Sequence, residues 1–357
     1  MAFIELYRDK LEHNYDFLTS FLKKHNKEVA VVTKILCGNK KYIEELIRLG
    51  AKELCDSRIS NLKVIKEIDL SVQTVYIKPP AKRSIPKIIK YADVSFNTEY
   101  ETIKLLSQEA VKQNKVHKVI IMIEMGDLRE GVMGETLLGF YGKIFDLKGI
   151  KVTGIGTNLN CLSGVLPSQD KLIQLSLYKQ LVEATFNREI PWVTGGSSIT
   201  LPLLNRKQIP AGVNHFRIGE TLFFGNNLLT NKVFKGMKSD VIKLFAEIIE
   251  ITEKPTVPIG YLAENPSGEV FEINSEEDYG GKSFRAILDI GLLDISTDFL
   301  IPEDPKMKII GASSDMIIID LGKRKGKHKV GDLVSFRLKY MGALRLFNSD
   351  YVEKKLV

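Results

Sequence analysis

Hydrophobic and polar positions follow two different periods along this chain, and the change of period marks its organisation. Residues 8–25 (RDKLEHNYDFLTSFLKKH) repeat apolar side chains at Leu11, Tyr15, Leu18 and Leu22, the spacing of one face of an α-helix. Short β-rich runs then alternate with amphipathic segments. The runs are VAVVTK (29–34), AKELC (51–55), QTVYIK (73–78), ADVSFN (92–97), HKVIIMIEM (117–125), KVTGIGTNL (151–159), IPWVTGG (190–196) and GVNHFRIG (212–219). Between most pairs the spacing predicts a helix, as over 40–50, 99–114 and 169–187. Strands alternating with helices predict a parallel sheet, and eight such units are what closes a (β/α)8 TIM barrel. An open doubly wound sheet is the alternative, but no GxGxxG follows the first strand.

From about residue 236 the texture changes to alternating or continuous strands: DVIKLFAEIIEI, KSFRAILDIGLLDI, KMKIIGASSDMIIIDLG and GDLVSFRLKY. The expected architecture is α/β: a barrel over residues 8–232 followed by a C-terminal β-rich domain over 233–357. The opening FIEL (3–6), within residues 1–7, could add a strand to the second domain.

Composition narrows the class. With 357 residues, 44% of them hydrophobic, the chain can bury a large core and form two domains. The net charge of +7 leaves nucleic acid as a conceivable partner, but the lysines are interleaved with glutamates on helix faces. No RNA-binding or helix-turn-helix signature accompanies them, so no nucleic-acid partner is expected. The start, MAFIELYRDKLEHNY, is charged too early for a signal peptide, and no apolar run reaches membrane-spanning length. Cys37, Cys55 and Cys161 form no CxxC and stand near no histidine cluster. They are expected to be reduced thiols of a cytoplasmic protein, with no metal site.

In a βα barrel the chemistry sits at the carboxyl ends of the strands. Those ends carry Lys34, Arg129, Asn158, the TGGSS turn (194–198) and Arg217. Each has an ordinary explanation: a snorkelling lysine, a strand-end amide, a helix-capping turn, an arginine paired with a core carboxylate such as Glu220. Their coincidence at one end of successive predicted strands is what suits an anionic, planar, aromatic aldehyde. Lys34, in VAVVTKILCGN (29–39), interrupts a run that otherwise reads as a fully buried strand, a costly place for an ammonium ion.

VAVVTKILCGN, MGDLREGV, GIGTNLNC, TGGSS, FRIGETLFFG and IIGASSDMIIIDLG, taken in order, resemble the fold-type III, pyridoxal-phosphate-dependent alanine racemase superfamily, and most closely its alanine/ornithine racemase branch. The resemblance implies that Lys34 binds pyridoxal 5'-phosphate covalently as a Schiff base and moves a proton at Cα. It implies that Arg217 meets the pyridine nitrogen and Arg129 the phenolic oxygen. Ser197, Ser198 and the backbone N–H groups of Gly219 and Glu220 would hold the phosphate. Asn158 takes the place of a histidine beside the ring, or simply caps its strand. In the second domain GASSD (311–315) corresponds to a substrate-lining segment, so Ser314 and Asp315, with Arg129, become candidate substrate contacts. The family further implies a head-to-tail homodimer with shared active sites.

The sequence departs from the family where the second base is expected. No SYG occurs, and the matching stretch KPTVPIGYLAENPSGEVF (254–271) offers Tyr261, with Tyr340 of RLKYMGAL as the alternative. Either tyrosine is equally readable as an amphipathic core residue. Glu264, Glu269, Glu272 and Asp278 could face the amine of an ornithine- or lysine-type substrate, or could be solvated loop charges. The expected activity is interconversion of the L- and D-forms of a free amino acid of alanine, ornithine, lysine or serine type. A non-catalytic pyridoxal-phosphate carrier, and a decarboxylase or aldolase on the same scaffold, are the competing readings.

Overall fold

The computed structural model describes residues 2–265, 268, 270–271 and 280–357. The chain forms two compact units, residues 7–241 and residues 1–6 together with 242–357.

The strand β1 (Phe3–Leu6) precedes helix α1 (Arg8–Lys24), whose buried Leu11, Tyr15, Leu18 and Leu22 are the apolar stripe seen in the sequence. Strands and helices then alternate: β2 (Glu28–Val32), α2 (Lys40–Arg48), β3 (Glu53–Asp56), α3 (Ile59–Ile68), β4 (Gln73–Tyr76), α4 (Ile85–Tyr91), β5 (Val94–Asn97), α5 (Tyr100–Lys112), β6 (His117–Met122), α6 (Leu137–Phe145), β7 (Ile150–Gly156) and α7 (Gln169–Phe186). The series ends with β8 (Trp192–Thr194), β9 (Gly196–Ser197), α8 (Leu201–Asn205), β10 (His215–Ile218) and α9 (Glu220–Phe224).

These strands are parallel neighbours in the order β8-β7-β6-β5-β4-β3-β2-β10-β9. β8 and β9 lie at opposite ends of that order yet are separated in the chain by Gly195 alone, so this one stretch closes the sheet into a barrel. The sequence pattern reads 190–196 as a single strand; the structure breaks it because its first half pairs with β7 and its second half with β10. Inside the barrel Ala30, Val32, Cys55, Val75, Val94, Phe96, Ile120 and Met122 pack as one buried cluster. On β2, β5 and β6 the cluster members are two residues apart, as the period-2 geometry of a strand requires.

A short hairpin, β11 (Asn226–Asn227) with β12 (Lys232–Val233), follows the barrel. The other unit is antiparallel apart from one edge. Its strands are β13 (Ile242–Pro255), β14 (Lys282–Leu288), β15 (Leu300–Pro302), β16 (Lys308–Ala312), β17 (Ile317–Gly322) and β18 (Leu333–Leu338), followed by α10 (Tyr340–Asn348) and β19 (Glu353–Leu356). β13 is the spine: its first half pairs with β18 and β1, its second half with β14 beyond a bulge at Ile248/Glu250. β19 runs parallel to β1. Among the described residues no helix is long and apolar enough to cross a membrane.

Candidate active site

Lys34 does not lie within the first barrel strand, where the sequence pattern puts it. β2 ends at Val32, the chain turns at Thr33 (φ −95°, ψ −1°), and Lys34 opens a single 3-10 turn, Lys34–Leu36. Ile35 and Leu36 of that turn are buried while Lys34 is exposed at the strand end, so the ammonium escapes the cost of burial. The turn is held from β3. The Thr33 hydroxyl donates to Asp56 Oδ2 at 2.9 Å, and Asp56 Oδ1 accepts from the Arg58 N–H (2.9 Å) and from Asn61 Nδ2 (3.1 Å). Burial pushes the Asp56 carboxyl up, while these donors and the Ser57 N–H pull it the other way. Gly38 (φ +77°) completes the turn, and a Cβ there would lie 2.7 Å from Asn61 Oδ1.

Arg217, on β10, is buried, and its side chain does not bond to Glu220, the carboxylate expected as its alternative partner. Its Nη2 donates instead to the Thr157 carbonyl at 2.9 Å and to Asn158 Oδ1 at 3.0 Å, and its Cζ lies 5.1 Å from the centre of the Phe96 ring. Burial draws the guanidinium pKa down, but an arginine remains a cation in any working range. Asn158 passes the contact on: its Nδ2 donates to Glu130 Oε1 at 2.5 Å. Glu130 is forked to Arg129, which donates from Nη2 to Oε1 at 2.7 Å and from Nε to Oε2. That hydrogen bonding raises the Arg129 guanidinium further. Nη1 of Arg217 is buried and has no hydrogen-bond partner among the described residues. An orphaned buried donor costs about 1–3 kcal/mol unless an acceptor reaches it.

These groups border one cavity of about 410 Å3, lined among others by Lys34, Phe96, Arg129, Glu130, Asn158, Ser197 and Arg217. Its loops are tied down by Asp127, whose carboxylate accepts the backbone N–H groups of Cys161, Leu162, Ser163 and Val165. Burial opposes ionisation of Asp127, but the Leu162, Cys161, Val165 and Ser163 N–H groups outweigh it and hold the carboxyl below its usual range. Across the mouth, Ser198 Oγ accepts the N–H groups of Gly219 and Thr221, both at 3.3 Å, which seats the Gly-Gly-Ser-Ser turn against the start of α9. The Glu220 carboxyl is pushed up by burial, against the Asn226 amide and the charge of Lys34, which pull it down.

Of the expected site residues, the structure thus brings Lys34, Arg129, Asn158, Ser197 and Arg217 to one cavity, with Ser198 in the adjoining Gly-Gly-Ser-Ser turn and Gly219 and Glu220 at the start of α9 beside it. Tyr261, Tyr340, Ser314 and Asp315 belong to the other unit. Tyr261 is fully exposed beyond β13, Tyr340 is half-buried as the first residue of α10, and the exposed Ser314 hydroxyl donates to Asp315 Oδ2 at 2.7 Å. Glu264 is exposed, and Glu269, Glu272 and Asp278 lie outside the described residues. Glu130, Asp127 and Asp56 are absent from the sequence expectations. The one signal for Glu130 is its place beside Arg129 in DLREG, a carboxylate at a predicted barrel mouth. Among the described residues no group of three or more His, Cys, Asp or Glu could hold a metal ion.

The barrel with a strand-end lysine and a buried arginine defines a class, and comparison with known proteins agrees with it. Residues 6–227 match the family described as alanine racemase, N-terminal domain, and the chain belongs to that family. It is 37% identical to the ornithine racemase of Acetoanaerobium sticklandii over 98% of both chains. It is 30% identical to the lysine racemase of Thermotoga maritima, over 97% of this chain and 95% of that one. Its fold is that of the alanine racemase from Bartonella henselae, a structure with covalently bound pyridoxal phosphate (TM-score 0.74, 16% identity, covering 100% of this chain and 99% of that one).

Proposed function

We propose that this protein is a pyridoxal-phosphate-dependent racemase that interconverts the L- and D-forms of a free diamino acid of the ornithine or lysine class. The observation that carries the reading is that Lys34 and Arg217 line one cavity and that Arg217 Nη1 is a buried donor without an acceptor among the described residues. A pyridine nitrogen is such an acceptor, so the residues present fit the cofactor. The two relatives similar over nearly their whole length, an ornithine racemase and a lysine racemase, support the diamino-acid choice over alanine or serine.

Arg217 would donate to the ring nitrogen without ever passing a proton to it, because guanidinium does not ionise at working pH. Arg129 would face the phenolic oxygen. Ser197, Ser198 and the N–H groups of Gly219 and Glu220 would hold the phosphate. When bound, the cofactor supplies an electron-withdrawing ring that weakens the Cα–H bond of the amino acid. The Lys34 amine would take and return the Cα proton on one face. Tyr261, with Tyr340 as the alternative, would do so on the other, from a partner copy in a cytoplasmic head-to-tail dimer. Ser314 and Asp315, with Arg129, would contact the substrate.

The test is to mix purified protein and pyridoxal phosphate in deuterated water with L-ornithine, L-lysine, L-alanine or L-serine, and to follow chirality and Cα deuterium. Ornithine or lysine should racemise about a hundredfold faster than alanine, each inversion carrying one deuterium. Lys34→Ala should lose both the covalent cofactor and at least about 1000-fold in rate. Exchange without inversion would remove the racemase assignment, and alanine as the fastest substrate would remove the diamino-acid one.

A further inference from the structure

Charge at the cavity is unevenly distributed. Among the described residues lining it, Lys34, Lys78, Arg129 and Arg217 are cationic and Glu130 alone is a carboxylate. Its side chain is only 13% exposed, and both oxygens are used. Oε1 accepts from Arg129 Nη2 and from Asn158 Nδ2, and Oε2 accepts from Arg129 Nε.

The shared amide of Asn158 makes this more than a surface pair. Its Nδ2 faces Glu130 and its Oδ1 faces Arg217 Nη2. The reverse orientation would set an amide N–H against the guanidinium and the amide oxygen against the carboxylate, two repulsive contacts. A carboxylate at residue 130 therefore admits one orientation of Asn158. That orientation gives Arg217 Nη2 its second acceptor beside the Thr157 carbonyl, and leaves Nη1 as the donor still to be satisfied. Phe96, 5.1 Å from Cζ, limits the guanidinium from another side.

We infer that Glu130 is a positioning residue that aims two guanidiniums at once, Arg129 directly and Arg217 through Asn158, so that their contacts to the cofactor stand or fall together. The inference rests on the pyridoxal-phosphate reading above. It also assigns Glu130 the task of offsetting the cationic mouth before the anionic cofactor arrives. Replacing it by glutamine keeps the volume but leaves a single acceptor oxygen for three donors, and lets Asn158 turn over.

The experiment is a double-mutant cycle on the full chain with Glu130→Gln, Asn158→Ala and the combination. Three quantities are read: the affinity for pyridoxal phosphate, the pH titration of its visible absorbance when bound, and kcat separately from KM. Each single variant should bind the cofactor about tenfold more weakly, and the double variant no more weakly than the worse single one. In Glu130→Gln the absorbance titration should move to lower pH by about one unit, because losing a carboxylate disfavours every protonated cation nearby. Glu130→Ala should show the same shift, and should it fail to fold, Glu130→Gln carries the test. Effects that simply add, or an absorbance titration unmoved in Glu130→Gln, would overturn the role of Glu130. Wild-type protein that takes up no pyridoxal phosphate would instead overturn the cofactor reading and this inference with it.

Discussion

His117 stands on β6, fully enclosed, with Nε2 2.8 Å from the Ser95 hydroxyl. Burial lowers its pKa to about 4; Asp93 and the Ala92 backbone pull it up, and Lys115 pushes it further down. The folded value lies below the unfolded value of about 6.5, so the unfolded chain binds the extra proton first as pH falls. Stability should therefore drop between about pH 6.5 and pH 4, by about 3 kcal/mol in total for this group. Denaturant titrations of the wild type and His117→Asn across that window should diverge by this amount. Parallel losses would show that His117 is not kept neutral by the fold. Lys34 and Arg217 were legible as strand-end residues, because that needs only their own strand; the turn beyond β2 on which Lys34 stands was not. Nor was Glu130, because its partner Asn158 comes from another strand end and itself reaches Arg217 on a third.

At the scale of elements, the loop leaving β6 illustrates how backbone sets side chains. Ile123 bridges Val132, and Glu124 Oε1 accepts the N–H groups of Gly126 (2.5 Å) and Leu128 (3.0 Å), folding the loop back on itself. Gly131 closes it with φ +157°, where a Cβ would fall 2.0 Å from the Glu124 nitrogen. Gly131→Ala must spread the loop and carry Arg129 and Glu130 away. It should cost about 1–3 kcal/mol and weaken pyridoxal-phosphate binding at least tenfold, measured by thermal unfolding and absorbance titration. Undiminished affinity would show that the loop does not need its closed form. The alternation of β runs and helical spacing made most barrel elements readable. The split of 190–196 into β8 and β9 was not, since it depends on two different neighbours. Nor was α10, which begins at the last residue of the run GDLVSFRLKY that reads as strand.

At the scale of the molecule, one prediction concerns sharing between copies. If each site takes its second base from the partner, mixing inactive Lys34→Ala with inactive Tyr261→Phe should regenerate intact sites. Half the dimers would be mixed and one of their two sites intact, so about a quarter of wild-type racemisation should return. No recovery, with the mixed dimer verified by native mass spectrometry, would place the base within one chain or on another residue. The same mixture with Tyr340→Phe distinguishes the alternative tyrosine.

The sequence by itself determined the period of each segment, and with it a parallel barrel and a β-rich unit. It also placed a lysine, two arginines, an amide and a small-residue turn at the same strand ends, because local spacing dictates which end of a strand a residue occupies. Only tertiary structure decided that the strand run 190–196 splits at Gly195 to close the sheet and that Lys34 stands on a turn clamped by Asp56. It alone linked Arg217 to Arg129 through Asn158 and Glu130. Those relations join groups far apart in the chain, and a hydrogen bond depends on distance and angle in space, which no one-dimensional pattern contains.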